Sequence, residues 1–107
     1  NAAEAGSYLL DRLKGLYDHQ SVGDIRAMGL MAAIELVKDK GTKEPIGELP
    51  MESTHRVEDL VWEKGVYARA MMENVAIAPP LTITKEEIDI IVDAVDASIA
   101  QMEKEMM

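Results

Sequence analysis

The 107-residue sequence predicts an α+β fold: a mainly antiparallel sheet with helices packed on one face, in the order α-β-β-α-β-β-α. Three observations lead there. Three segments repeat apolar residues at the period of a helix, others read as extended chain, and the extended segments come in consecutive pairs rather than alternating singly with helices. The length allows one hydrophobic core, burying roughly two-thirds of the unfolded surface, so residues 1–107 are taken as a single domain.

The elements follow in chain order. Leu9, Leu10, Leu13, Leu16 and Tyr17 fall at helical spacing with charged residues between them, which predicts an amphipathic helix ending near Asp18. In VGDIRAMGLMAAIELV the period changes to two: Leu30, Ala32, Ile34 and Leu36 share one face, and Met31, Ala33, Glu35 and Val37 the other. Gly29 is expected as a bulge or close backbone approach in this stretch. KDKGTKEPIGELP is charged and broken by Gly and Pro, hence a surface loop and the expected mobile segment. A second helix is predicted from Pro50 to Gly65, with Val57, Leu60 and Val61 buried and Trp62 at the margin. Two short strands follow, VYARA and NVAIA, with Asn74 suited to positive φ at their hairpin turn. Pro79 and Pro80 end the second of them, having no N–H for a ladder. Thr84 and Glu87 make a T-x-x-E capping box, and Ile88, Ile91, Val92, Val95, Ile99 and Met102 form the apolar stripe of the last helix.

Composition excludes several functions. Twenty acidic against eleven basic residues give a net charge of −9, which repels nucleic acid and anionic membrane surfaces. The absence of cysteine removes disulfides, thiolate metal sites and thiol nucleophiles, and no apolar run approaches the roughly 20 residues needed to cross a bilayer. A cytoplasmic location is expected. The chain lacks an initiator Met and begins inside helical pattern, which predicts a fragment, with Asn1-Ala2 read as a cleavage scar.

Few residues carry chemistry. His19 and His55 stand without ligand-spaced partners and read as surface histidines; Asp18, His19 and Ser21 are chain neighbours, whereas triads are assembled from distant positions. Glu86, Glu87, Asp89, Asp93 and Asp96 read as a solvated helix face, and the methionines as gap-fillers near the sheet. GDIRAMG lacks the spacing and lysine of a phosphate loop. Arg26 and Arg69 remain. A strand arginine ordinarily points to solvent over its own aliphatic stem; the alternative is recognition of a carboxylate by the guanidinium fork, and spacing alone leaves both open.

HQSVGDIRAMGLMAAIELV followed by GVYARAMMENVAIAPPLTITKEEID resembles the C-terminal part of class III, omega-type aminotransferases, where VRGxGLMxxxEL precedes xxRxxGDxIxxxPPLxITxxEID. The likeness runs from about Leu9 to Ile99. It implies a pyridoxal-phosphate enzyme of fold type I, of which this chain is the smaller C-terminal domain, covering the substrate cleft. The implied reaction moves an amino group from an amine or amino acid to a 2-oxo acid such as pyruvate. Implied partners are the enzyme's own large domain and a homodimer partner. Arg69, separated by eight residues from Ala78-Pro79-Pro80-Leu81, matches the arginine that binds the substrate carboxylate and swings aside for substrates without one. Arg26 matches an arginine read as structural. Met72-Glu73 replaces the family's Gly-Asp at the hairpin turn, and Ala27 a common Gly. No residue matches the cofactor's lysine, ring-nitrogen acid or phosphate loop, so the fragment is expected to bind no cofactor and to be inactive alone. Its bared face or strand edge predicts self-association. The rival reading is a stand-alone α+β module that senses a small carboxylate or mediates protein assembly.

Overall fold

A computed structural model describes residues 2–107, in the order α1 (Ala2–Lys14), a 3₁₀ turn (Gly15–Asp18), β1 (Val22–Met28), β2 (Met31–Leu36), α2 (Glu52–Glu63), β3 (Arg69–Met71), β4 (Asn74–Ile77) and α3 (Lys85–Met106). Asn1, half of the suspected scar, lies outside the described residues. The strands form one antiparallel sheet in the order β1-β2-β4-β3. The predicted class and element order hold.

Alternation decides which sheet face is covered. Ala32, Ile34, Leu36, Val75 and Ile77 are buried, and they meet Leu9 and Leu13 of α1, Val57 and Val61 of α2, and Ile88, Val92, Val95, Ile99 and Met102 of α3 in one apolar cluster. Two helix ends match their sequence signals. At α3, Thr84 Oγ1 accepts from Glu87 N while Glu87 Oε1 accepts from Thr84 N, a complete capping box. At α2, Gly65 has φ of 79° and donates to Trp62 O, and Val66 donates to Val61 O, the paired bonds of a Schellman motif.

The turns depart from expectation. Gly29 is not a bulge within a strand: it has φ of 59° and begins a two-residue turn between the paired Met28 and Met31, but the expected close backbone approach holds, since a Cβ on Gly6 would lie 2.7 Å from Gly29 O. The bulge lies at Gly23 instead, because Val22 pairs with Leu36 and Asp24 with Glu35. That extra residue returns Val22 to the core. In the β3–β4 hairpin the residue with positive φ is Met72, at 57°, rather than Asn74, because Met71 and Asn74 already pair and Met72 opens the turn between them.

Boundaries shift as well. The second helix begins at Glu52, after a left-handed Met51 (φ 64°), and the third strand begins at Arg69 rather than Val66. The charged loop after β2 is anchored by Ile46, only 1% exposed in the core, a contact that its Gly/Pro punctuation concealed. No helix among the described residues is long and apolar enough to cross a membrane.

Candidate functional site

The sheet face opposite the helices carries both arginines. Arg26 pairs with Ala33, Ala33 with Ala76 and Ala76 with Arg69, so the two guanidinium-bearing residues stand at the ends of one cross-strand row. Three strand spacings separate their backbones by about 14 Å. The alanines keep the middle of the row low, and Met28, Met31, Met71 and Tyr67 complete the rim of a depression of about 460 Å³. Its surface is mainly apolar.

The two arginines differ in how their charge is used. Arg26 donates from Nη1 to Asp24 Oδ2 at 2.8 Å and from Nη2 to Asn74 Oδ1 at 2.7 Å. Its fork is occupied, in keeping with a structural role. Arg69 donates only a long 3.5 Å bond to Tyr67 Oη, and among the described residues no carboxylate lies within ion-pair distance of it. Tyr67, by hydrogen bond and charge, and more weakly Glu58, favour its protonated form still further above the ordinary arginine range. Arg69 is therefore a charged, exposed fork on an apolar face with room for an external anion.

Three side chains of α2 hold the segment that carries Arg69. Thr54 Oγ1 donates to Met72 O at 2.8 Å, Glu58 Oε2 accepts from Ala70 N at 2.7 Å, and Trp62 Nε1 donates to Ala68 O at 2.7 Å. Trp62 also packs on Tyr67, ring centroids 5.5 Å apart. Sequence reasoning missed Thr54 and Glu58. Their i, i+4 spacing with Trp62 was the available signal, but it has no meaning until the facing strand edge is known.

The other candidates resolve into structure. His19 is not an ordinary surface histidine: its side chain is 15% exposed, with Nε2 2.5 Å from Asp96 Oδ1 and Nδ1 3.0 Å from Glu103 Oε1. Both ring nitrogens are thus committed away from Ser21, and no hydrolytic triad exists at DHQS. Burial opposes the charged ring, but the bonds to Asp96 and Glu103 outweigh it and raise the His19 pKa. The acidic face of α3 is only partly solvated, since Asp89 accepts from Tyr8 and Arg12 at 2.6 Å and Asp93 from Arg12 at 2.8 Å. These pairs tie α1 to α3. His55 stays exposed, 3.5 Å from Glu58, and no metal-binding cluster occurs among the described residues.

A family model for aminotransferase class-III matches residues 1–99. The chain belongs to this family. Among relatives of this class III aminotransferase chain, the adenosylmethionine-8-amino-7-oxononanoate aminotransferase of Geobacter sulfurreducens is 43% identical over 91 residues, covering 85% of the chain and 20% of the relative. The taurine–pyruvate aminotransferase of Bilophila wadsworthia is 34% identical, covering 97% of the chain and 24% of the relative. The solved omega transaminase of Pseudomonas jessenii in complex with PMP superposes with a TM-score of 0.93 at 32% identity, covering 98% of this chain and 23% of that one. The chain thus spans about a fifth to a quarter of the length of the proteins it matches.

The family implies pyridoxal phosphate, whose aldehyde needs a lysine and whose phosphate needs a cradle of N–H or basic groups. The depression bearing Arg26 and Arg69 contains no lysine, and its sheet backbone offers no helix N-terminus. These residues do not fit the cofactor.

Proposed function

We propose that the chain is the C-terminal small domain of a class III aminotransferase that moves an amino group from an amine or amino acid to a 2-oxo acid such as pyruvate. The domain covers the substrate cleft, and Arg69 binds the acid's carboxylate. The observation that carries this reading is the difference between the arginines: Arg26 donates from both terminal nitrogens to Asp24 and Asn74, whereas Arg69 faces the open side of the sheet with no carboxylate partner among the described residues. Pyridoxal phosphate, the Schiff-base lysine and the homodimer partner belong to the rest of the enzyme, working in the cytoplasm. Family membership favours this reading over a stand-alone sensing module.

The role follows from geometry and charge. A guanidinium on an apolar floor offers two parallel N–H donors to a carboxylate, and a charge-assisted pair of this kind contributes about 1.5 to 3 kcal/mol. In the full-length enzyme, Arg69→Ala should raise KM for pyruvate by roughly 10- to 150-fold. An unchanged KM would remove Arg69 from the site. The chain alone should leave the visible absorbance of added pyridoxal phosphate unaltered; a saturable spectral change would refute that part.

A further inference from the structure

We propose that Thr54, Glu58 and Trp62 act together as a side-chain edge strand that aims Arg69, and that the Glu58 carboxylate weakens the hold of Arg69 on an anionic substrate. The proposal rests on the reading of Arg69 as the carboxylate-binding residue.

A strand at a sheet edge turns the backbone groups of alternate residues outward, unpaired. Among the outward groups of this chain, Ala68 O, Ala70 N and Met72 O are each met by one side chain of α2: Trp62, Glu58 and Thr54 respectively. The spacings agree. Four residues of helix advance about 6 Å, and two residues of strand about 6.8 Å. A helix stripe at i, i+4, i+8 can therefore run alongside alternate residues of a strand as a neighbouring strand would.

The consequence falls on the residues between those anchors. With the backbone held at 68, 70 and 72 on one side and by β4 on the other, Arg69 projects from the open face from a fixed Cα. Glu58 holds the N–H of the residue immediately after Arg69. It is also the member of the stripe that carries charge, and its Oε2 sits 2.7 Å from the backbone of the residue next to Arg69, which places a negative charge beside the base of the arginine side chain. A carboxylate there attracts Arg69 and repels an incoming acid. The hydrogen bond and the charge of Glu58 therefore act on substrate binding with opposite signs.

That opposition provides a test which a purely structural role would not pass. In the full-length enzyme, Glu58→Gln keeps an acceptor for Ala70 N and removes the charge; KM for pyruvate should fall about threefold. Glu58→Ala removes both, and the aim is lost; KM should rise about tenfold relative to Glu58→Gln, with kcat changing by less than about threefold. Trp62→Phe keeps the ring and loses the donor, and should raise KM for pyruvate about threefold even if Glu58→Ala proves unstable. If Gln and Ala at position 58 shift KM in the same direction by the same factor, or neither shifts it while Arg69→Ala does, the proposal is overturned and the role of Arg69 stands. If Arg69→Ala itself leaves KM unmoved, the underlying reading and this proposal fall together.

Discussion

Met72 pays for its place in the β3–β4 turn. Its φ of 57° belongs to the left-handed region, which costs a side-chain-bearing residue about 1 to 2 kcal/mol, and its side chain is 72% exposed, so little packing offsets the strain. The resembling family pattern has Gly there. Met72→Gly should raise stability by about 0.5 to 1 kcal/mol after the added unfolded-state entropy is subtracted, read as a higher urea midpoint. A lower midpoint would mean that the methionine makes stabilising contacts after all. His19 makes a second prediction at this scale. Its raised pKa means that its contribution is full below 6.5 and is lost as pH rises through the folded value. For Glu103, burial opposes ionisation, but bonds from Ser21 and His19 lower its pKa, so its contribution is present above 4.5 and is lost as pH falls through the folded value. The pair should stabilise most between those ordinary values. His19→Gln should flatten the loss of urea midpoint between pH 6 and 9; an unaltered slope there would show that the ring is not the titrating group.

The helix ends test how far local sequence signals reach. Gly65 closes α2 at φ 79°, and an added Cβ would meet nothing within 4 Å, so Gly65→Ala reports backbone strain alone. It should cost about 1 kcal/mol, or roughly 4 to 8 °C in Tm for a domain of this size; a shift under 1 °C would argue against the Schellman geometry. Such ends were legible because a capping box and a left-handed glycine need only residues within one turn. The same holds for the alternation that set Leu30, Ala32, Ile34 and Leu36 on one face, all four of which are buried, although it did not say which face the helices cover and Val37 from the other set is buried too. The hairpin turns were less legible: whether Gly23 or Gly29 bulges depends on cross-strand register, which one strand alone does not specify. In the proposed site, the resemblance singled out Arg69 and set Arg26 aside, while the physical ground for that difference depends on Asp24 and on Asn74, which is 48 residues away in the chain. Thr54 and Glu58 were illegible for the same reason. Their targets are backbone atoms of a strand whose position only the tertiary fold sets.

At the scale of the molecule, the two expected routes to self-association, an apolar face and a strand edge, are not equally open. The β3 edge is met by α2 side chains, and at the β1 edge Ile25 N donates to Tyr17 Oη at 2.9 Å while Gly23 O accepts from Lys43 Nζ at 3.0 Å. Side chains thus occupy outward groups at both edges, which discourages strand addition. The open sheet face has no such cover: Met28 is 83% and Met31 66% exposed, and they flank Ala33 and Ala76. Two copies meeting through this face would remove apolar surface from water, but each carries a net charge of −9. Repulsion between like-charged copies is screened once the Debye length falls from about 10 Å at 0.1 M salt to about 3 Å at 1 M. Self-association of the isolated chain should therefore strengthen with salt, and Met28→Asp with Met31→Asp should suppress it by placing charge on the buried contact. Sedimentation velocity across a salt series separates the possibilities. A monomer at high concentration in 1 M salt would rule out face-to-face association, whereas an oligomer insensitive to the two substitutions would place the contact elsewhere.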